Sequence, residues 1–410
     1  MSSIWDMVVG HDEAVAMLKD AVAGGRVTHA WLFTGPPGIG KLHTARVFAA
    51  ALNCPAGGDG TCDTCRRILR GVHPDVHLIV PEGDNLLVED VRAVREEASR
   101  THHEARTAVF ILDEADRMTE AAANALLKVL EEPPPEVVFV LVVRSAEALV
   151  GTVPSRARIL PFVSLSLAEL TAALDDDLQL TPDQTTWAAA ASHGRLARAR
   201  SLLADEAART RRSTVLDLTE RLASGQPSDA LAAAATVVAI ADEVAAAARS
   251  RQEREVAELE EAFGTGRGTG ALRKRLETRH RRELRRVRFD AIRDSLADLL
   301  GAYRDIALLA VAPPGNELDP EEVRRVEGAG GLESAGEAPL VHPDKAGTFT
   351  RLAARIDPAT ALRAAGAIEE ADRRLAIGAA PLLTLEAAFL SVQAALRGPA
   401  IPINRLAIRR

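Results

Sequence analysis

Thr34-Gly35-Pro36-Pro37-Gly38-Ile39-Gly40-Lys41-Leu42 is the stretch on which the fold turns. It stands between a short apolar run, Trp31-Leu32-Phe33, and a stretch of helical character, Thr44 to Leu52. Strand, glycine-rich loop and helix in that order make a phosphate-binding P-loop. Gly35, Gly38 and Gly40 let backbone N–H groups turn inward around phosphate, and the helix N-terminus adds its dipole. Lys41 is placed to reach the β and γ phosphates of ATP or ADP. The next position calls for Ser or Thr, whose hydroxyl holds Mg²⁺. Leu42 stands there and offers no oxygen. A Gly/Pro turn without chemistry is the plain alternative, and the context on both sides weighs against it.

Working outward, three more nearly unbroken apolar runs appear at Val76 to Val80, Ala108 to Leu112 and Val137 to Val143. Such runs, alternating with helical patterns, predict a parallel sheet buried on both faces in a doubly wound α/β domain over residues 1–163. The run Val109-Phe110-Ile111-Leu112 ends in Asp113-Glu114, so two carboxylates arrive where open α/β sheets bind ligands. Asp113 suits the Mg²⁺ shell and Glu114 the attacking water. Acids at strand ends are common, and it is the pairing with the P-loop that gives these two their weight.

Beyond Pro161 the β-rich runs stop and Ala/Leu/Arg helices take over. We expect a small helical lid at 164–206 and an all-helical domain at 207–398, with breaks at Gly264 to Gly270 and Pro313 to Gly347. Residues 399–410 read as a loose basic tail. Between 249 and 288 a polar stretch interrupts the helical pattern, and Arg267 to Arg288 carries ten Arg/Lys against two Glu. It reads as a helical hairpin with a solvated charged face, or as a contact for phosphate or a partner.

A net charge of −8 argues against a chain that coats DNA over its whole surface, and 3% aromatic residues argue against a stacking platform for single strands. The start, Met1 to Asp6, lacks the basic and apolar regions of a signal peptide. Ala230 to Ala248 is apolar but carries Asp242 and Glu243, and reads as a buried helix, not a membrane span. Three cysteines are too few for a disulfide framework, which points to the cytoplasm. Cys62-x-x-Cys65 has the bite of a tetrahedral metal site, and a Gly-rich turn brings Cys54 back toward it. The other reading is three free thiols.

Three stretches carry a family resemblance. They are Val8-Val9-Gly10-His11 with Thr28 to Phe33, the run Ala122 to Pro134 (AANALLKVLEEPP), and Val153-Pro154-Ser155-Arg156-Ala157. They resemble the clamp-loader subunits of bacterial DNA polymerase III, an AAA+ family, over residues 1 to about 205. The resemblance implies an AAA+ P-loop domain, a helical lid and an all-α collar through which subunits form a ring. It implies a cysteine knuckle at 54–65 whose fourth Zn²⁺ ligand position is Asp59, beside Cys54, Cys62 and Cys65. It implies that Arg156 is an arginine finger acting in trans, although Ala157 replaces the usual Cys of that motif.

Two departures separate this chain from the motor members of the family. Leu42 replaces the P-loop hydroxyl, and Ala197 falls where the lid's sensor arginine is expected, with Arg198 about 100° away on the helix. The resemblance therefore implies a stator-like subunit, its own ATPase absent or very weak, with Asp113 and Glu114 vestigial. It would work with gamma/tau and delta subunits, a sliding clamp and primer-template DNA, and hold no polymerase site. A self-sufficient AAA+ motor is the main alternative. A scaffold without nucleotide is a third reading, favoured if Lys41 contacts protein groups.

Overall fold

Strands β1 (Ala30–Thr34), β2 (Val76–Ile79), β3 (Ala108–Leu112) and β4 (Val137–Val143) fall on the four apolar runs, and β5 (Arg158–Pro161) joins them. The computed structural model describes residues 3–81, 85–100, 103–149, 151–175, 180–263, 267–311, 340–376 and 378–397, without side chains at several positions between 258 and 282. All strand pairs are parallel, in the order β2-β3-β4-β1-β5. β3 and β4 are buried along their whole length, as strands covered on both faces must be. β5 was not among the runs read from the sequence. It is an edge strand of four residues, of which only Leu160 is buried.

The chain divides into two compact units, residues 1–179 with 194–199, and residues 180–193 with 200–410. In the first unit the sheet separates two layers of helices. Trp31, Phe33, Val109, Ile111, Val138 and Val140 face α1 (Asp12–Ala23), α2 (Lys41–Asn53) and α3 (Asp63–Arg70). Leu32, Phe110, Leu112, Phe139 and Leu141 face α4 (Val88–Ala98) and α5 (Glu120–Glu131). The alternation follows from the two-residue period of a strand. Trp31 meets Phe48 of α2 edge-on at 5.4 Å, a geometry that adds about 0.5–1.5 kcal/mol beyond burial. α5 starts where the Thr119 hydroxyl accepts from Ala122 N at 3.2 Å and buries Ala122, Ala123, Leu126, Val129 and Leu130. A sixth helix, α6 (Leu167–Asp175), follows β5.

The segment read as a lid contributes α6, α7 (Pro182–Ala191) and α8 (Leu196–Ala204), and its residues are shared between the two units. In the second unit follow α9 (Glu206–Ala223), α10 (Pro227–Phe263), α11 (Arg267–Val311), α12 (Ala346–Ala353), α13 (Pro358–Ala376) and α14 (Pro381–Leu396). Their core is Leu216, Leu299, Tyr303, Phe349, Ile368 and Phe389 with an Ala-rich seam from α10. By length and composition α10 is apolar enough to cross a membrane, yet Ala230, Ala233, Ala234, Val237 and Ala241 are buried in this core. The 249–288 hairpin is the far end of α10 and α11. There Gln252 donates to Glu283 at 3.0 Å and His280 pairs with Glu255 at 2.9 Å. Arg273, Arg286 and Arg288 pair with Glu277, Asp290 and Asp242, as a solvated charged face does. Of the loop expected at 313–347, residues 312–339 lie outside the described residues, and the rest forms a 3-10 turn leading into α12. The 399–410 tail also lies outside them.

One polar knot ties this helical unit together. Arg212, almost fully buried, donates to both Asp344 oxygens at 2.7 and 2.9 Å and to His342 Nδ1 at 2.8 Å. His342 Nε2 donates to Asp298 O at 3.0 Å, and His193 Nε2 lies 3.2 Å from Asp298 Oδ1. Buried Asp305 accepts from the backbone N–H groups of Val341 and His342. Gly301 of α11 makes room for the two imidazoles: a Cβ there would lie 2.7 Å from His342 Nε2 and 3.1 Å from His193 Cε1. The donor atoms of His193, Asp298 and His342 lie within 4.8 Å of one another. Both nitrogens of His342 are nonetheless spent on protein partners, and a guanidinium lies alongside. The knot is therefore a hydrogen-bonded joint and a poor cation site.

Candidate functional site

The P-loop forms where the sequence put it, between β1 and α2. Gly35 has φ 141° and Gly40, the N-cap of α2, has φ 100°, values that L side chains rarely adopt. A Cβ on Gly35 would also lie 2.2 Å from Phe162 O. His11 closes the loop from outside, its Nε2 2.8 Å from Ile39 O and its ring edge-on to Phe162.

Lys41 is buried, and its ammonium donates to the carbonyls of Gly35 and of Pro36. The loop's own carbonyls are thus among the partners of this cation. Leu42 is half-buried against the apolar layer of α1 and α2. Thr44 cannot stand in for the missing hydroxyl, because its Oγ1 donates back to Gly40 O at 3.1 Å and the residue is fully buried.

The acidic motif lies at the C-terminal end of β3. Asp113 is buried and its Oδ1 accepts from Glu114 N at 3.2 Å. Glu114 has φ 52°, and its carboxylate is bound by Arg117 at 2.7 Å. That ion pair takes up the group assigned to orient water. Two basic residues that the sequence reading passed over stand nearby in the same unit. Arg144, at the end of β4, pairs at 2.6 Å with buried Asp116. Arg195 lies against the P-loop, with its Cδ 2.9 Å from where a Gly38 Cβ would be. In the 194–199 segment Arg195 is therefore an arginine at the loop.

Arg156 ends a 3-10 turn, Pro154–Arg156, just before β5. Its side chain is 33% exposed, with Nη2 2.6 Å from Glu131 Oε1. Nη1 donates to Thr152 Oγ1 at 2.6 Å, Thr152 O at 3.2 Å and Ser155 Oγ at 3.4 Å.

The cysteine knuckle also assembles. Gly57, Gly58 and Gly60 all take positive φ and turn the chain so that Cys54 meets the start of α3. Cys54 Sγ is 3.8 Å from Cys62 Sγ and 3.5 Å from Asp59 Oδ1, while Cys65 Sγ is 3.9 Å from Asp59 Oδ1. A tetrahedral Zn²⁺ with Zn–S of about 2.3 Å and Zn–O of about 2.1 Å needs edges of about 3.8 and 3.5 Å. The four residues fit that group. Hydrogen bonds, first from Cys62 N and then from Thr61, hold Asp59 ionised down to about 2. Burial pushes the Cys54 thiol up, but backbone contacts at Gly58, Asp59 and Ala56 outweigh it and leave it below the ordinary value. Burial and its two cysteine neighbours push Cys65 up. A cation among them reverses that, since a coordinating thiol is deprotonated. The N-terminal turn covers the knuckle, with Ile4 N donating to Gly58 O at 2.8 Å.

Residues 10–166 match the family described as DNA polymerase III, delta subunit. DNA polymerase III subunit delta' of Bacillus subtilis is 40% identical over 152 residues, 36% of this chain and 46% of that one. DNA polymerase III subunit gamma/tau of Mycobacterium bovis is 36% identical over 160 residues, 38% of this chain and 28% of that one. The matched stretch thus spans less than half the length of either relative. A DNA polymerase III gamma subunit-related protein of Thermotoga maritima aligns over 93% of this chain and 99% of that one, at 17% identity and a TM-score of 0.34. Over its P-loop domain the chain is therefore similar to the delta' and gamma/tau subunits of bacterial DNA polymerase III, the group its 122–134 helix and Ser155-Arg156 had pointed to.

Proposed function

We propose that this chain is a delta-prime-type subunit of a bacterial clamp loader, a stator that presents Arg156 to the nucleotide of a neighbouring subunit. One observation carries the reading: a P-loop with no Mg²⁺ hydroxyl, at Leu42, coexists with a Ser155-Arg156 turn whose guanidinium reaches the surface. In that reading the chain joins gamma/tau and delta subunits in a cytoplasmic ring that loads the sliding clamp on primed DNA. DNA is met through the assembled ring, since the chain alone carries a net charge of −8. Co-purification with those subunits, followed by ATPase assay of each alone and together, tests it. Steady turnover by this chain alone would point instead to a motor subunit.

Leu42→Thr restores the missing hydroxyl. Its expected effect is tighter Mg²⁺-dependent ADP binding by about tenfold, worth about 1.4 kcal/mol, with no steady hydrolysis. The engagement of Glu114 by Arg117 supports the second half of that expectation. The contacts of Lys41 with Gly35 and Pro36 favour the further reading of a scaffold that holds no nucleotide. Calorimetric titration with ADP separates them: heat from neither the wild type nor Leu42→Thr selects the scaffold.

The knuckle is proposed as a structural zinc site of Cys54, Asp59, Cys62 and Cys65, because their four donor atoms all lie within 4.8 Å of one another. A closed four-ligand site leaves no position for a substrate, so the ion's part is to cross-link the loop to α3. Elemental analysis is expected to find about one zinc per chain. Cys62→Ser is expected to release it and lower the melting temperature, and metal-free wild-type protein prepared without chelator would refute the assignment.

A further inference from the structure

We propose that Glu131 is a positioning residue for Arg156, and the proposal rests on the stator reading above. Glu131 is the last residue of α5, and Glu132 caps that helix. A carboxylate at a helix C-terminus faces the negative end of the macrodipole, so helix formation does not explain the choice. Its contact does: Glu131 Oε1 lies 2.6 Å from Arg156 Nη2, with the two side chains 49% and 33% exposed.

The guanidinium is held from two sides. Nη1 directs its hydrogens at Thr152 and Ser155, on the arginine's own turn. Nη2 forms an ion pair with Glu131, on a helix that is otherwise anchored in the core by Leu126, Val129 and Leu130. Of the five guanidinium donors, only those on Nη1 make hydrogen bonds among the described residues. A planar fork clamped on one part and open on the rest is oriented before a ligand arrives. An unclamped arginine would have to order its long side chain at each encounter. Glu131 has no route to a neighbour's phosphate of its own, because like charges repel. It acts through Arg156.

A double-mutant cycle in the reconstituted loader tests this, using the full chain with its partner subunits and DNA- and clamp-stimulated ATP hydrolysis. Read in a ring with one active motor subunit beside this chain, Glu131→Ala is expected to lower kcat at the site Arg156 serves about ten- to a hundredfold, the scale of a misplaced reacting group, with KM for ATP and the melting temperature unchanged. Glu131→Asp, which keeps the charge on a shorter arm, is expected to recover part of the loss. Glu131→Ala combined with Arg156→Ala is expected to be no slower than Arg156→Ala alone. If Arg156→Ala slows the loader while Glu131→Ala leaves it unchanged or speeds it up, Glu131 does not position the finger. A double mutant slower than Arg156→Ala overturns the proposal in the same way, because the two residues then act separately. If Arg156→Ala itself has no effect, the stator reading fails and takes this inference with it.

Discussion

Arg156→Ala is expected to cut DNA- and clamp-stimulated ATP hydrolysis at the site it serves by about 10³–10⁵, or roughly 4–7 kcal/mol of barrier. The assembled loader should lose only a fraction of its total rate, because other sites carry their own arginines. Ring assembly and melting temperature should be unchanged. The competing account is that Arg156 merely pairs with Glu131 on the surface of its own domain. An exposed pair of that kind is worth about 0–1 kcal/mol and touches no rate. Single-turnover kinetics on a ring with one active motor subunit beside this chain distinguishes the two. Arg156→Lys should recover little, since a point charge cannot reproduce the forked donors. A wild-type rate in that assay would remove the stator mechanism.

Acidification is expected to destabilise the helical unit from about pH 6.5 downward through His342, with buried Asp305, whose carboxyl burial pushes up, working in the opposite sense. Burial, with a further push from Arg212, lowers His342 from its usual 6.5 to about 3. The sign follows from linkage. The unfolded chain takes up a proton near 6.5 while the folded chain refuses it until about 3. Stability held through the neutral imidazole is therefore complete above about 6.5 and is lost as pH falls toward about 3, at up to about 1.4 kcal/mol per pH unit. Asp344 does not cancel this within that window: despite burial, Arg212 keeps its carboxyl below the ordinary carboxylate range. Chemical denaturation between pH 7 and 4, followed by helical circular dichroism, reads the slope. His342→Gln, which cannot titrate, should be less stable at pH 7 and show a flatter acid limb. An unchanged limb in that variant would move the effect to another group.

How far the sequence reached depends on whether neighbours in space were neighbours in the chain. β1 to β4 were legible because a strand buried on both faces must be continuously apolar. β5 was not, because Arg158 and Ile159 are exposed and the strand is only four residues long. The P-loop and knuckle were legible for the same local reason: Gly35 to Lys41 and Cys54 to Cys65 are each one short stretch. Arg144 with Asp116, Arg195 at Gly38 and Glu131 with Arg156 are pairs brought together only by folding. The knot of Arg212, His342 and Asp298 likewise joins residues 130 and 44 positions apart, and nothing in the spacing of those residues announces it.

The short edge strand has a bearing on how the protein keeps to itself. Phe162 N bonds to Thr34 O on β1, so Leu160 N points the same way and the amides at 159 and 161 point out of the sheet. Position 161 is proline and has no hydrogen to give. Ile159 is thus left as the lone outward donor of β5, beside the exposed charge of Arg158. A foreign strand seeking to extend the sheet finds one rung of a ladder where it needs several. Crowded together in a growing cell or a concentrated sample, copies of this chain are denied that route to aggregation at the β5 edge, and Pro161→Thr is the change that would reopen it there.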